Sequence, residues 1–293
     1  MNVGHGTTLG VLPSVTADAY HADQVADRPT LSKSIIQILL NASPAHARHA
    51  HPRLNPDFER KEESKFDVGN VCHQVFLEGI DAVAIVPFDD WRTKAAKDER
   101  DAARDAGKIP LLARDYERVE EMLVAVRAQL AVRDDALFEN GKPETTLVWE
   151  ERGVTLRARL DWLLDDESEI HDLKTTSRSA NPESWCRSTL FNIGADVQAA
   201  LYSRGVAVFT GTRRPEFKFV VCETEPPYPI SVVAMGPDVL TLADKKIDWA
   251  LDLWRRCLET DTWPAYDSRI HYAELPTWEE SRWLARELRE VAA

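Results

Sequence analysis

The chain has 293 residues, of which 36 are Lys or Arg and 49 are Asp or Glu, so its formal net charge is −13 at pH 7. A hydrophobic fraction of 44% with 29% charged residues is typical of a globular protein and excludes a fibrous or disordered chain. No apolar run approaches the roughly 18 residues that span a bilayer, which excludes a membrane protein. Residues 1–5 lack the basic start and apolar stretch of a secretory signal, so we expect a cytoplasmic location.

The cysteines and the acidic charge restrict the function further. The four cysteines are widely spaced and match no zinc or disulfide framework, so we expect reduced, buried thiols at Cys72, Cys186, Cys222 and Cys257. The excess of acid excludes a protein that coats nucleic acid through its net charge, because phosphate binding needs local Lys and Arg. An enzyme with a basic groove remains compatible with this composition.

The first half of the chain is predicted to be mainly helical. Residues 1–30 contain scattered Gly, Thr, Pro and Ser without periodicity, which predicts a poorly ordered N-terminal arm. Residues 31–140 form the predicted helical region. Within it, apolar spacing predicts helices over 31–41, ended by Pro44, and 68–78, and then two helices on either side of a turn at 107–110.

The pattern changes at Gly141, where a sheet-containing core is predicted to begin and to extend to residue 263. Strands are predicted over residues 145–150, 154–164, 169–175, 217–222 and 230–235. Helices are predicted from residue 182, over 195–209 and after Pro237. This order predicts one α/β domain over residues 31–293, with a central mixed sheet flanked by helices and a helical tail over 264–293.

Two neighbouring predicted strands contain the candidate catalytic residues. Because strand side chains alternate, Arg157, Arg159 and Asp161 share one face, and Asp172 and Lys174 share a face of the next strand. If a short turn pairs these strands, the two acids converge. Adjacent carboxylates repel unless a cation lies between them, and oxygen ligands favour Mg²⁺ or Mn²⁺. A nearby lysine suits phosphodiester hydrolysis, although a solvated strand pair with cross-strand ion pairs has the same pattern.

Three further polar residues lie on predicted helices. Gln198 and Tyr202 are one helical turn apart, so their side chains share a face. They are placed to hydrogen-bond a nucleotide or a metal-bound water, although an ordinary amphipathic edge has the same spacing. His73 precedes the sheet on a helix, where it is either a third metal ligand or a structural histidine.

The order His73, Asp161, Asp172-x-Lys174, Gln198-x-x-x-Tyr202 resembles the RecE-type (exonuclease VIII) branch of the PD-(D/E)xK nucleases, related to RecB-family nuclease domains. The resemblance covers about residues 20–263. It includes Tyr20-His21-Ala22-Asp23, Leu31-Ser32-Lys33-Ser34, Ser43-Pro44-Ala45-His46 and Gly141-Lys142-Pro143-Glu144. It implies a restriction-endonuclease-like α/β core with a helical N-terminal region.

The resemblance also implies roles for the site residues. The metal ligands would be His73, Asp161, Asp172 and the backbone carbonyl of Leu173, with Lys174 as the water-orienting or general-base residue. Gln198 and Tyr202 would complete the catalytic set as the family's accessory motif. Leu160 precedes the first acid where the family name has Pro, and the second acid is Asp, both of which this loose superfamily tolerates.

The activity that the resemblance implies is a Mg²⁺-dependent exonuclease, with Mn²⁺ able to substitute, that degrades linear duplex DNA from 5′ ends. It further implies a homo-oligomeric ring threaded by DNA and a single-strand annealing protein as partner in phage or prophage recombination. The cysteines after the core are widely separated, so no iron–sulfur cluster is expected. No Walker phosphate loop is present, so no ATP motor is expected.

An acidic protein that binds DNA needs a local basic lining. The predicted DNA contacts are a 5′-phosphate site near a helix start and a basic strand face, formed by Ser32, Lys33, Ser34, Arg157 and Arg159. A helix cap with a solvated lysine is the alternative for the first three. The functional alternatives are a structure-specific or single-strand endonuclease on the same fold and a catalytically silent DNA-binding subunit. The six motif residues favour an enzyme, because a silent site has no need to keep two repelling carboxylates together.

Overall fold

The structure, a computed structural model, describes residues 9–12, 15–59, 68–211 and 214–291. Its strands are β1 (Gly10–Leu12), β2 (Val83–Val86), β3 (Ile109–Leu112), β4 (Gly141–Glu151), β5 (Val154–Leu164), β6 (Glu169–Thr176), β7 (Glu216–Glu223) and β8 (Ile230–Ala234). Its helices are α1 (Ala17–His21), α2 (Lys33–Asn41), α3 (Pro44–Ala50), α4 (Val68–Glu78), α5 (Lys94–Asp105), α6 (Ala113–Ala131), α7 (Pro182–Ser184), α8 (Leu190–Asn192), α9 (Ala195–Thr210), α10 (Pro237–Thr260) and α11 (Thr277–Val291). A π-helical turn, Trp185–Thr189, lies between α7 and α8.

A six-stranded sheet is the centre of the fold, with strands in the order β1-β4-β5-β6-β7-β8. Only β6 and β7 pair in parallel, and the other neighbouring strands of this sheet are antiparallel. The inner strands are buried on both faces, as is typical where helices cover a sheet from both sides. The predicted mixed α/β core with a central sheet and flanking helices is therefore confirmed.

Apolar side chains form two cores, one on each face of the sheet. Phe219 and Val221 belong to the first core, whereas Val220 between them belongs to the second, because successive strand residues face opposite sides. The first core is covered by α2, α9 and α10, and the second by α4 and α6. Gly205 of α9 gives the first core room for the Trp149 ring, since a Cβ there would lie 3.0 Å from it.

The described part of the predicted N-terminal arm, residues 9–12 and 15–30, carries a strand and a helix. β1 pairs with β4, and Tyr20 of α1 is buried. Asp23 is fully buried and accepts hydrogen bonds from the backbone N and the hydroxyl of Thr30, at 3.0 and 2.6 Å. Polar contacts rather than a periodic apolar stripe fix this segment, which explains why its pattern predicted a loop. Residues 1–8, 13 and 14 of the predicted arm lie outside the described residues.

The predicted helical region, residues 31–140, also contains a two-stranded parallel sheet of β2 and β3. Residues 107–110 were predicted as a turn, but Ile109 and Pro110 already belong to β3. Strands of four residues are too short to show a period, so the sequence pattern missed both. Pro44 ends the preceding helix as predicted. It also begins α3, because the first residue of a helix does not need its N–H, and Ser43 caps this new helix.

The C-terminal tail carries a helix, α11, within the predicted helical range 264–293. Its large apolar side chains are 51 to 72% exposed: Trp278, Trp283, Leu284 and Leu288.

Across the part of the chain that the structure describes, no helix combines the length and apolarity that crossing a membrane requires.

Candidate active site

The site lies where the pairing between β5 and β6 stops. The two strands are paired only at Trp162–His171 and Leu163–Ile170. Beyond that point, Oδ2 of Asp161 accepts a hydrogen bond from the backbone N of Leu173 at 2.9 Å. A carboxylate thus bridges the two strands and lies beside the part of β6 that carries the second acid.

Asp172, on β6, is fully buried. Its Oδ2 accepts a hydrogen bond from Nε2 of Gln198 on α9, and its Oδ1 forms an ion pair with Nζ of Lys174. Burial, together with the nearby charge of Asp161, raises the pKa of Asp172 to about 6. The two acids therefore interact as the sequence predicts, and their repulsion favours a bound cation.

His73 reaches the same point from α4. Its Nε2 lies 2.8 Å from Oδ2 of Asp161. Burial alone would lower the pKa of His73, but the Asp161 carboxylate outweighs burial and raises it. Conversely, burial would raise the pKa of Asp161, but His73 and Lys174 outweigh it and hold this pKa below its usual value. A ligand role and a structural role were both open for His73, and its contact with Asp161 places the imidazole among the acids.

Lys174 is the cation of the site. Burial tends to lower its pKa, but Asp172 and Asp161 outweigh burial and raise it above the ordinary value. The ammonium group is therefore charged at neutral pH. This favours a role in neutralising phosphate charge or orienting water over a role as general base, because a base must first lose its proton.

Tyr202 lies one turn after Gln198 on α9 and is buried, with 8% of its surface exposed. It hydrogen-bonds Tyr20 of α1, and burial raises the pKa of both phenols. The guanidinium carbon of Arg157 lies 5.3 Å from the centre of the Tyr20 ring. The N-terminal segment thus supplies Tyr20 as a direct neighbour of the accessory motif, which composition and periodicity gave no reason to expect.

One cavity, the active-site cleft, of about 560 Å³, brings ten of the predicted site residues together. Its lining includes Ser32, Lys33, Ser34, His73, Arg157, Arg159, Asp161, Lys174, Gln198 and Tyr202. Asp172 is buried and contacts two of these lining residues, Lys174 and Gln198. Leu173 places its side chain in the second core and its N–H on Asp161, and the metal-binding role of its carbonyl stays a prediction.

Arg157 and Arg159, which were predicted to bind DNA, both line the cleft, and each is paired with an acidic side chain of the protein. Arg157 is 4% exposed and its guanidinium is bound to Asp23 and to the Thr30 hydroxyl. Arg159 is bound to Glu144 and lies 3.8 Å from Glu78. Strand alternation correctly placed both arginines on the face of Asp161, but it does not reveal acids that approach from distant segments. Their charges are neutralised within the protein.

The motif at residues 32–34 lies at the start of α2. Ser32 caps the helix by accepting a hydrogen bond from the backbone N of Ile35, and Ser34 is exposed. Nζ of Lys33 donates to the backbone carbonyl of Ile193 at 2.6 Å. Burial, with the positive charge of Lys174 nearby, lowers the pKa of Lys33 to about 8. The cap role of Ser32 is therefore established, and Lys33 is a fixed cation of the cleft rather than a solvated one.

Glu144 is a cleft residue to which the sequence assigned no role. It lies on β4 directly opposite Asp161, because Pro143 pairs with Trp162 and Thr145 with Leu160. Its φ of +52° is uncommon for a residue with a side chain. In the sequence, the only indication that Glu144 lies near the site is its place in the motif Gly141-Lys142-Pro143-Glu144, which resembles the RecE-type family. Its carboxylate holds Arg159.

The donor set fits a divalent cation. His73 and the two acids supply one imidazole and two carboxylates, and Oδ1 of Asp172 is a buried oxygen whose ion-pair partner is the Lys174 ammonium group. The 2.8 Å between His73 Nε2 and Asp161 Oδ2 suits adjacent ligands of an octahedral ion with bonds of about 2.1 Å. Within the described ranges, however, no three His, Cys, Asp or Glu side chains are arranged as a ready-made metal site. His73 and Lys174 instead contact the carboxylates directly.

A family model identifies the fold. The model of a PDDEXK-like domain of unknown function (DUF3799) matches residues 32–276. The chain belongs to this family. The predicted membership of the PD-(D/E)xK superfamily is therefore confirmed, and the family supports nuclease activity. PD-(D/E)xK nucleases generally use divalent metal ions, which agrees with the donor set of the cleft.

One solved structure agrees with this fold. A protein from Eubacterium rectale named "putative exonuclease" is 14% identical, with a TM-score of 0.60, and the match covers 92% of this chain and 98% of that one. At this identity the likeness shows the fold alone. A second structure, SSO0001, is 12% identical over 63% of this chain and 87% of its own, but its TM-score of 0.27 supports no argument. No curated protein matches the chain.

Proposed function

We propose that the protein is a metal-dependent exonuclease that hydrolyses DNA phosphodiester bonds from the 5′ ends of linear duplex DNA. The observation that supports this best is the convergence of His73, Asp161, Asp172, Lys174 and Gln198 at one point of a PDDEXK-like fold. Separate segments of the chain supply these groups, and no packing requirement explains a fully buried Asp172 beside a second, partly buried acid, Asp161.

The chemistry follows from what each side chain does. His73, Asp161, Asp172 and the Leu173 carbonyl would hold a divalent ion, which supplies charge stabilisation and an activated water when bound. Lys174 stays protonated and is placed to neutralise charge on the phosphate as it becomes pentacoordinate. The Gln198 amide fixes Asp172 by donating to Oδ2, so the carboxylate keeps its orientation.

Exonuclease rather than endonuclease activity is the more specific part of the proposal. It is supported by the motif at the start of α2 and by the name of the Eubacterium rectale relative. The experiment that tests it compares linear duplex labelled at the 5′ or the 3′ end with closed circular duplex, each with Mg²⁺ and with EDTA. We expect mononucleotides or short products from the 5′ label only, intact circles, and no reaction in EDTA. Nicked circles would indicate an endonuclease, and no cleavage of any substrate a silent DNA-binding subunit.

Lys33 gives the test of end recognition. Charged hydrogen bonds contribute about 1.5–3 kcal/mol, so Lys33→Ala is expected to slow digestion of 5′-phosphorylated ends about 10- to 100-fold more than that of 5′-hydroxyl ends. Lys245→Ala, which removes an exposed lysine of α10, is the matched control. Initial rates on the two substrates give the ratio. Equal losses on both ends, or none, would leave Lys33 with its structural bond to Ile193 alone.

The partners remain part of the proposal. A homo-oligomeric ring threaded by DNA is supported by the exposed apolar side chains of α11, which a second copy would bury. Sedimentation velocity of the full chain measures the mass that a ring predicts. A single-strand annealing protein as partner, a role in phage-type recombination and a cytoplasmic location rest on the sequence resemblance and the sequence alone.

A further inference from the structure

A second cavity, the side cavity, of about 750 Å³, adjoins the active-site cleft. The two share three lining residues, His21, Pro52 and Phe58. An imidazole, a proline and an aromatic ring therefore form a common boundary of the two cavities. Asp161 and Lys174 line the same cleft as these three residues.

The charges of the side cavity differ from those of the cleft. Arg53 is the only Lys or Arg among its described lining residues, and its guanidinium donates to the backbone carbonyls of Ala26 and Asp27 at 2.7 and 2.6 Å. Asp23 is bound to Arg157 and Thr30, and Asp18 adds a second carboxylate to the wall. The charge of Asp23 is thus compensated by Arg157, and the guanidinium donors of Arg53 are directed to backbone carbonyls rather than toward a phosphate. The cavity therefore suits an uncharged group with an aromatic face and polar edges.

Phe58 is held in place at the boundary. Its backbone N donates to the carbonyl of Asn55 at 3.2 Å, and the Asn55 side chain donates to the carbonyl of His49 at 2.8 Å. The same loop is anchored by His51, a fully buried residue whose Nε2 lies 3.0 Å from the carbonyl of Thr30. The ring is half-buried, so one part packs on the protein while another lines both cavities.

We propose that the side cavity binds the nucleobase next to the scissile phosphate, with Phe58 and His21 as its stacking surface and Gln24 and Asp18 facing its polar edges. This inference rests on the proposed nuclease function. Stacking on an aromatic side chain tolerates every base, because each base has a π-face. A base within a duplex is stacked on both sides and paired at its edge. The base that enters is therefore an unpaired one, from a single strand or from the frayed end of a duplex.

The test is a cycle of variants and substrates. Phe58→Ala is expected to reduce kcat/KM at least tenfold on an oligonucleotide, mainly through KM, and less than twofold on the same oligonucleotide with an abasic nucleotide beside the scissile phosphate. Phe58→Tyr keeps a stacking ring and should restore most of the loss. Phe209→Ala, at an exposed phenylalanine of α9 outside both cavities, is the matched control and should show no difference between the substrates.

Each possible result supports or overturns the binding of a base in the side cavity. A loss that is equal on the intact and the abasic oligonucleotide would overturn the proposal, because the ring would then act on the fold or the catalytic groups. No loss on either substrate would overturn it as well. If the unaltered protein cleaves neither oligonucleotide nor bis(p-nitrophenyl) phosphate, which has no base, the proposed nuclease function fails instead. If it cleaves the small ester but shows no advantage from the base, the side cavity alone is excluded.

Discussion

Replacing Asp172 with Asn is expected to lower DNA cleavage at least a thousandfold while the metal-free protein unfolds at the same or a slightly higher temperature. The loss of activity follows because the variant lacks the buried carboxylate that pairs with Lys174 and is proposed to bind the metal ion. Initial rates with Mg²⁺ and thermal unfolding in EDTA measure the two effects on the same preparations.

The stability half of this prediction follows from the raised pKa of Asp172. Its pKa of about 6 lies above the ordinary value of 3.8, so the folded protein keeps a proton between about pH 4 and 6 that the unfolded chain has released. Ionisation of Asp172 therefore costs stability in that window and above it, when no metal is bound. The Asn variant cannot ionise, so its unfolding temperature in EDTA should fall less than that of the unaltered protein between pH 4 and pH 8.

Asp161→Asn is expected to be equally inactive but less stable, because Asp161 pairs with His73 and accepts from Leu173. Asp165→Asn is the matched control, since Asp165 lies in the exposed turn between β5 and β6. The assignment of the active site fails if Asp172→Asn or Asp161→Asn cleaves DNA at a rate near that of the control.

The sequence predicts the convergence of Asp161 and Asp172 because that convergence depends on local rules. Strand alternation and one short turn are enough to bring the two acids to the same place. Elements of eight or more residues, such as β5, β6 and α10, repeat their pattern often enough to be recognised. β2 and β3, with four residues each, do not.

The sequence pattern does not reveal which polar residues pair across long distances in the chain. Arg157 carries the same pattern as a DNA-binding residue, yet its partner, Asp23, lies 134 positions away. The same pair anchors the N-terminal segment, whose composition predicted disorder. Glu144 lies opposite Asp161 because of the β4–β5 register, and nothing in its own neighbourhood indicates that it holds Arg159. Apolar residues that face a core repeat along an element, so their period can be recognised in the sequence. A buried ion pair involves only two residues and leaves no repeating pattern.

His73 is a proposed ligand of the metal ion, and its role can be tested through metal dependence. We expect cleavage with Mg²⁺ or Mn²⁺, none in EDTA, and inhibition by Ca²⁺, whose bonds of about 2.3–2.6 Å are longer than the roughly 2.1 Å of Mg²⁺. His73→Ala should weaken Mn²⁺ binding about tenfold, as measured by calorimetry, because one of the ligands is lost. Its activity at low Mg²⁺ should fall, and higher Mn²⁺ should restore part of it.

The pH dependence of Mn²⁺ binding separates a ligand from a structural histidine. The pKa of His73 is raised above 6.5, so its proton competes with the metal at neutral pH and below. Affinity should therefore rise with pH between 6 and 8, and His73→Ala should flatten that rise. His271→Ala is the matched control, because His271 forms an exposed pair with Asp267 at 2.7 Å. If His73→Ala binds Mn²⁺ and cleaves DNA at low Mg²⁺ as the control does, His73 only supports the orientation of Asp161, and the metal is held by the carboxylates without it.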